Sequence, residues 1–275
     1  VDGRLLWGPV NRTFAPWTTP VMRGAAGDGV YGVYYMQSMS WEVYDIKTGQ
    51  KLWGPTRFAN SSWAYYDYTA PSVIGYGNLY TWGLSGEVYC IEARTGKVKW
   101  SFNTGSSGVD SPFGSWPLGT WFSHYILADG KLYVRAGHDY TPPVFKGAKL
   151  YCLNATTGDL IWSSLSFDIV GSPAVADGAV YVGSADHKIY ALDAATGAYK
   201  WSYATGDMVV SSPAVVNGVV YVGSYDHFVY AIGVPQNSQK AAEGIPQVLL
   251  IALALIIVLI TVLSVAVLYG RKRRT

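Results

Sequence analysis

The sequence lacks the residue patterns on which the common enzyme classes depend. Its 275 residues show no Ser-His-Asp order, no His-Glu-x-x-His pattern and no acidic cluster with metal-ligand spacing. The glycine-rich segment from Gly24 to Gly29 precedes a strand and does not join a strand to a helix, so it does not predict a phosphate-binding loop. These absences leave no evident intrinsic catalysis and favour a binding or scaffolding role.

Charge is scarce as well. Charged residues make up 14% of the chain, and the formal net charge is +2. Four cations form one C-terminal run from Arg271 to Arg274, and without that run the net charge is −2. The basic balance therefore comes from the C-terminal end, which argues against nucleic acid as a partner.

What the sequence does contain is a repeat. Five times a Gly is followed four residues later by a Trp, and the clearest copies read Tyr-x-(Ile/Leu)-acid-Ala-x-Thr-Gly-x-x-x-Trp. Successive Trp residues are 46, 47, 62 and 39 positions apart, a period typical of propellers and repeat arrays. The pairs are Gly3/Trp7, Gly49/Trp53, Gly96/Trp100, Gly158/Trp162 and Gly197/Trp201. We predict that the five Trp residues and Gly49, Gly96, Gly158 and Gly197 are structural docking residues.

Each repeat predicts a four-stranded antiparallel meander, whose strands we call A to D. Asp177-Gly178 and Asn217-Gly218 suit the type I′ turn between strands A and B, because both central residues can adopt positive φ. Gly75-Tyr76-Gly77-Asn78 predicts a looser version of that turn. A Thr-Gly turn joins strands C and D, and the Trp on strand D is predicted to wedge between neighbouring sheets.

The segment from Ala191 to Trp201, ALDAATGAYKW, resembles the tryptophan-docking motif of PQQ-like (pyrroloquinoline-quinone-type) β-propeller repeats. The resemblance covers residues 1 to about 233, and the first motif copy lacks its strand C. It implies an all-β propeller of four-stranded antiparallel blades, five of which are present. Propellers of this family usually have seven or eight blades.

The resemblance also sets the expected domain boundaries. Strand A of the five blades is predicted to begin near residues 21, 70, 121, 171 and 211, and residues 1–9 are predicted to form the outer strand of a blade. Because the last repeat stops after strand C at Gly233, residues 3–9 can supply its missing strand and close a ring of five. The alternative expectation is that these blades are part of a larger ring.

One long apolar run predicts a transmembrane anchor. Residues 248–268 carry no charge, and at about 1.5 Å per residue a helix of this length spans the roughly 30 Å of a bilayer. We therefore predict a polar linker at 234–247, a single transmembrane helix at 248–269 and a basic tail at 270–275. The positive-inside rule then places the C-terminus in the cytoplasm and the propeller in the extracellular or periplasmic space.

The family resemblance raises an alternative function, that of a PQQ-dependent quinoprotein oxidoreductase. That chemistry needs the quinone, a bound Ca²⁺, a catalytic Asp and commonly a vicinal disulfide. Cys90 and Cys152 are not adjacent in sequence, and they occupy the same strand C position of neighbouring repeats. We predict that both are free, buried thiols, and we expect no cofactor and no metal outside this alternative.

Two short motifs admit a functional and a plain structural interpretation. Asp186-His187 and Asp226-His227 recur in the turn between strands B and C, where they indicate either a metal or general-base ring or a turn in which His replaces Gly. Asn154 lies in a glycosylation sequon but also in a C–D turn. The structural interpretation is favoured in both cases.

The long insertions all fall in the D–A and B–C connections, which share one face of a propeller. They are Gly8–Pro20, Gly54–Thr69, Ser101–Thr120 and Gly137–Gly147. They are rich in aromatic residues, so we expect folded loops, which either form a binding face for a protein or glycan ligand or pack on each other and plug the mouth of the channel. Trp63, Tyr66 and Trp116 are the leading candidates. The full set of candidates is Trp17, Trp63, Tyr65, Tyr66, Tyr68, Trp116, Trp121, His124, His138, Asp139 and Tyr140.

Overall fold

A computed structural model gives the fold of the chain. It describes residues 5, 7–8, 22–35, 38–58, 72–82, 86–111, 114–117, 125–137, 148–164 and 168–233. The chain divides into two compact units, Val1–Ala231 and Ile232–Thr275. Of the second unit, Ile232 and Gly233 are the described residues.

The described part of the first unit is built from antiparallel sheets in chain order. Sheets 1 and 2 comprise β1 (Met22–Gly27), β2 (Val30–Tyr35), β3 (Ser40–Asp45) and β4 (Lys51–Thr56), then β5 (Ser72–Gly75), β6 (Asn78–Trp82), β7 (Glu87–Glu92) and β8 (Val98–Asn103). A hairpin of β9 (Ser106–Ser111) and β10 (Gly114–Pro117) follows.

Three further sheets complete this part of the chain. Sheets 3 to 5 comprise β11 (Ile126–Ala128), β12 (Lys131–Ala136), β13 (Lys149–Asn154), β14 (Leu160–Ser163), β15 (Ile169–Ala176), β16 (Ala179–Ser184), β17 (Lys188–Asp193), β18 (Tyr199–Ala204), β19 (Ala214–Val216), β20 (Val219–Gly223) and β21 (Val229–Ile232). Sheets 1 to 4 have four strands each in the order A-B-C-D, and sheet 5 has three. The predicted all-β architecture of four-stranded antiparallel meanders is confirmed.

Tight turns between strands A and B explain why the meanders form. Asp177 and Gly178 have φ values of 51° and 69°, and Asn217 and Gly218 have 51° and 73°. These are the paired positive angles of a type I′ turn, which matches the right-handed twist of the flanking strands. The predicted looser turn at Tyr76 is wrong, because Tyr76 and Gly77 adopt 52° and 73° as well. Positive φ is uncommon for Tyr. The Tyr76 hydroxyl accepts a hydrogen bond from the Gly130 N–H of the next sheet at 3.1 Å, and the Gly77 N–H donates to Asp28 Oδ2 of the preceding sheet at 2.6 Å.

The sheets stack face to face in chain order. Their first strands pack consecutively, β1 on β5, β5 on β11, β11 on β15 and β15 on β19. Three hydrophobic clusters fill the interfaces between sheets 1 and 2, 2 and 3, and 3 and 4. We call the face of a sheet that packs on the next sheet its trailing face, and the opposite face its leading face. First strands at the centre and outer strands at the rim are the arrangement of propeller blades.

The insertion predicted as a loop from Ser101 to Thr120 contains regular structure. Strand β8 continues to Asn103, and the β9–β10 hairpin follows at once. The insertion was identified only as the segment between two repeats. Because the hairpin occurs in one repeat, comparison of the repeats does not predict its strands. No helix in the part of the chain that the structure describes has the length and apolar character that a bilayer span requires. The predicted segment 248–269 lies outside those residues.

Candidate functional site

Four indoles pack on a glycine of a C–D turn in the same way, and three of them join successive sheets. A Cβ added at Gly49 would lie 2.6 Å from the Trp7 ring, so only a glycine fits beneath the indole. Trp7 Nε1 donates to the Ile46 carbonyl at 2.6 Å, and Trp53 Nε1 donates to the Ala93 carbonyl at 2.9 Å. The remaining glycine contacts are Trp53 on Gly96, Trp100 on Gly158 and Trp162 on Gly197. Each of these indoles therefore packs on the C–D turn of the sheet that follows it in the chain.

A tyrosine on strand B strengthens two of these junctions, and sequence reasoning missed it. Tyr80 Oη and Trp100 Nε1 both donate to the Ala155 carbonyl, at 3.0 and 3.2 Å. Tyr133 Oη and Trp162 Nε1 share the Ala194 carbonyl at 3.2 and 3.3 Å. The repeated signal was present, since Tyr80, Tyr133, Tyr181 and Tyr221 all stand three residues after the glycine of the A–B turn.

The C–D turns carry a second repeated hydrogen-bond pattern. Asp193 Oδ1 accepts from the N–H groups of Ala195 and Thr196, both at 3.0 Å. Asn154 Oδ1 accepts from Thr156 and Thr157 in the same geometry, at 2.9 and 3.1 Å. Asn154 therefore serves as a turn residue in this fold, as the structural interpretation of its sequon required.

The His residues of the two Asp-His turns adopt a left-handed backbone conformation. His187 and His227 have φ values of 68° and 72°, the conformation that Gly86 adopts at 73° in the equivalent turn of sheet 2. The His187 carbonyl accepts both the N–H and the hydroxyl of Thr205. His227 and His187 thus occupy a left-handed position that glycine usually fills, which supports the turn interpretation.

The acids of these turns are held by local hydrogen bonds. Asp226 Oδ2 accepts from Tyr230 Oη at 2.6 Å and from the Gly206 N–H at 2.7 Å. Partial desolvation opposes its ionisation, but the hydrogen bonds from Tyr230, Phe228 and Gly206 outweigh it and lower the pKa of Asp226. His187 Nε2 lies 3.6 Å from Asp207 Oδ1. Within the described ranges, no group of three or more His, Cys, Asp or Glu side chains is placed to hold a metal ion.

The two cysteines are free and buried, as predicted. Cys90 and Cys152 pair across the sheet with Trp100 and Trp162, so they sit behind the docking indoles. Burial raises the pKa of each thiol to about 11. Both thiols are therefore protonated and unreactive at neutral pH.

The described part of the face formed by the B–C and D–A connections carries an exposed aromatic pair. Tyr225 and Phe228 flank the last B–C turn and are 50% and 67% exposed. In the same sheet region, the ring centroids of Tyr203 and Tyr230 lie 5.9 Å apart. In sheet 4 the equivalent positions are Ala185 and Lys188, so the aromatic pair is specific to the last repeat and is found only by comparing the two repeats.

Most of the predicted binding-face residues stay predictions. Trp116 lies on strand β10, and Ser115 beside it pairs with Asp110 of β9. The other candidates lie outside the described residues: Trp17, Trp63, Tyr65, Tyr66, Tyr68, Trp121, His124, His138, Asp139 and Tyr140.

Comparison with curated proteins finds partial matches. The chain is 29% identical to the serine/threonine-protein kinase AfsK of Streptomyces griseus over 192 residues, which are 67% of this chain and 20% of that protein. It is also 29% identical to the lupanine 17-hydroxylase [cytochrome c] of a Pseudomonas species over 150 residues, 48% of this chain and 20% of that protein. The chain thus spans about a fifth of the length of these relatives.

Among solved structures, the fold is similar to the quinohemoprotein alcohol dehydrogenase ADHIIG of Pseudomonas putida HK5. The TM-score is 0.56 at 16% identity, over 76% of this chain and 40% of the dehydrogenase. This likeness concerns the fold alone. A family model described as the outer membrane protein assembly factor BamB matches residues 1–139 and 117–244. With its docking indoles and meander sheets, the chain belongs to this family of PQQ-like β-propeller repeat proteins.

Proposed function

We propose that the protein is a membrane-anchored, extracytoplasmic propeller that binds a protein or glycan ligand through the face formed by its B–C and D–A connections. The observation that carries the proposal is the contrast between the two faces. The A–B and C–D turns are short, whereas the long insertions all fall in the D–A and B–C connections, and the last B–C turn exposes two aromatic side chains, Tyr225 and Phe228. Exposed aromatic side chains are the common anchors of protein and glycan recognition. The family description as an assembly factor also favours protein binding.

The ligand test uses two variants of the full chain. Replacing Trp63, Tyr66 and Trp116 together by Ala should abolish capture of the ligand, and Tyr225→Ser with Phe228→Ser should weaken it. Leu160→Ser is the matched control, because Leu160 is 49% exposed on the outer strand β14, away from this face. Unchanged binding of glycan arrays and cell-surface proteins by both variants would refute the proposal.

The anchor is proposed from the uncharged run at 248–268 and the cations that follow it. Extraction with alkaline carbonate should leave the chain in the membrane, and removal of residues 248–275 should release it. A reporter joined after Thr275 should be active on the cytoplasmic side. A reporter active on the opposite side would contradict the proposed topology.

A quinoprotein oxidoreductase is the second candidate, favoured by the similarity to the lupanine hydroxylase and to the quinohemoprotein dehydrogenase. The described residues do not fit the cofactor, since they contain no group of three or more His, Cys, Asp or Glu side chains placed to hold a metal ion and the two cysteines are far apart in sequence. No catalytic step is therefore assigned to them. Reconstitution with PQQ and Ca²⁺ tests this candidate, because stoichiometric quinone absorbance would favour it over the binding module.

A further inference from the structure

The role of Asn154 in the C–D turn of sheet 3 uses one of its two polar side-chain atoms. Asn154 Oδ1 accepts from the N–H groups of Thr156 and Thr157, as Asp193 Oδ1 accepts from the equivalent N–H groups of sheet 4. Among the described residues, Asn154 Nδ2 has no hydrogen-bond partner. The turn therefore explains the oxygen of this amide and leaves its nitrogen without a structural task.

The equivalent acid of sheet 4 uses both of its side-chain oxygens. Asp193 Oδ2 accepts from Lys200 Nζ at 3.2 Å, while Oδ1 caps the turn. In sheet 3, Ile161 stands at the position of Lys200, so the second polar atom of Asn154 has no cation on its own outer strand. An aspartate would fill the turn role of Asn154 equally well, and the amide nitrogen is what sets this position apart.

The Thr two positions after Asn154 also departs from the repeat. The hydroxyl that supports the turn of sheet 4 belongs to Thr196, directly before the turn glycine, and it donates to Asp193 Oδ1 at 3.0 Å. Thr156 stands one position earlier, where sheet 4 has Ala195. In the part of the chain that the structure describes, the Thr156 hydroxyl has no hydrogen-bond partner. The turn thus needs neither this hydroxyl nor the amide nitrogen.

The side chains of this turn are accessible, although its backbone is anchored. Thr156 and Thr157 are exposed and Asn154 is partly exposed. Ala155 between them is fully buried, and its carbonyl accepts from Trp100 Nε1 at 3.2 Å. An Asn-x-Thr triplet on an exposed turn is the acceptor pattern of N-linked glycosylation.

We propose that Asn154 is the acceptor of an N-linked glycan. The amide nitrogen forms a bond to the anomeric carbon of a sugar carried on a lipid diphosphate, and the bond from that carbon to the diphosphate oxygen breaks. The lipid diphosphate leaves with the bonding electron pair, and the nitrogen loses one proton. The Thr156 hydroxyl is the group that the transferring enzyme recognises. This assignment rests on the extracytoplasmic location proposed above.

The position of the turn gives the glycan a consequence for binding. The C–D turns lie on the face opposite to the B–C and D–A connections, so a glycan at Asn154 covers the short-turn face and leaves the loop face free. A bulky, hydrated glycan keeps a partner from approaching the face that carries it. Ligand capture through the loop face should therefore be the same with and without the glycan.

Occupancy of Asn154 is measured in the full chain. Asn11→Gln and Asn60→Gln remove the other two sequons, and a cleavable signal peptide delivers the chain to the secretory pathway of a eukaryotic host. Peptide-N-glycosidase should shift the mobility of this parent chain, and mass spectrometry should find Asp at position 154 after release. Because the signal peptide imposes delivery, the result does not depend on the topology that the anchor gives the protein.

Matched variants separate the acceptor role from the turn role. Asn154→Asp keeps the Oδ1 cap, as in sheet 4, and should lose the glycan without a change in circular dichroism. Thr156→Ala copies Ala195 of sheet 4 and should lose the glycan as well, whereas Thr156→Ser should keep it. Thr157→Ala is the control, because it removes the neighbouring hydroxyl and leaves the sequon intact.

Two outcomes would overturn the assignment. One is a parent chain that carries no glycan at Asn154, and the other is a glycan that persists in Asn154→Asp and Thr156→Ala. Neither outcome touches the loop-face function, which the aromatic variants test, or the anchor, which the reporter after Thr275 tests.

Discussion

Sheets 4 and 5 have nearly the same sequence but different environments. AVYVGSADHKIYALD in sheet 4 aligns with VVYVGSYDHFVYAIG in sheet 5, residue for residue. All six residues of β16 are buried, whereas β20 alternates between buried and exposed positions. The pattern of the strand is local, but the burial of its residues depends on the sheet that packs on it. Sheet 4 has a neighbour on both faces, and in the described residues sheet 5 has one.

The largest expected effect lies at the docking glycine between sheets 3 and 4. Gly197→Val would place a Cβ 2.6 Å from the Trp162 ring at a φ of 72°, so overpacking and backbone strain add. We expect a loss of about 3–5 kcal/mol in the free energy of unfolding, measured by denaturant titration with Trp fluorescence. Gly178→Val is the matched control, because its φ is 69° and no atom lies within 4 Å of the added Cβ. Equal losses would show that backbone strain alone decides both sites.

Shortening a side chain on the trailing face should have different effects on stability in sheets 4 and 5. Ile189→Ala removes a fully buried side chain and should lower the free energy of unfolding by about 2–4 kcal/mol. Val229→Ala removes its exposed equivalent and should change that free energy by less than about 0.5 kcal/mol in the monomer. A large cost at Val229 in dilute solution would mean that a neighbouring sheet already covers this face.

The shared carbonyl at Ala194 offers a finer comparison. Tyr133→Phe removes one of its two donors and should lower the free energy of unfolding by about 1 kcal/mol, since Trp162 still satisfies the oxygen. Tyr221→Phe at the equivalent exposed position of sheet 5 should have no measurable effect. Thermal unfolding of both variants, followed by circular dichroism, checks the difference.

The smallest effect is expected on the melting temperature at low pH, where Asp193 becomes protonated. Hydrogen bonds from Lys200, Thr196 and Ala195 lower the pKa of Asp193 to about 2 from 3.8. Because the folded pKa lies below the unfolded one, this stabilisation is complete above about pH 4 and is lost as the pH falls towards 2. Asp193→Asn should flatten the decline in melting temperature over that window. Asp177→Asn is the control, since Asn217 occupies the equivalent turn of sheet 5. A decline as steep as that of the unmodified chain would contradict this assignment.

The sequence predicted the strands and turns well, because these depend on a few adjacent residues. Asp177-Gly178 adopts the expected turn, and the Gly-Trp spacing identified the outer strands. The turn at Tyr76 was misjudged because positive φ is uncommon for Tyr and the hydrogen-bond partners of this turn, Gly130 and Asp28, lie 54 and 49 residues away. Tyr225 and Phe228 were overlooked because they are ordinary residues of a repeat until their exposure is known. The predicted binding-face residues in the long insertions fit no repeat, so periodicity does not predict how they pack.

By itself the sequence determined the repeat, the meander in each sheet and the glycine on which each indole rests, since backbone angles and strand alternation are local properties. Tertiary structure decided which equivalent residues are buried and which carbonyl each Tyr and Trp shares. These outcomes depend on contacts between residues 32 to 75 positions apart, which the sequence of a single repeat does not contain.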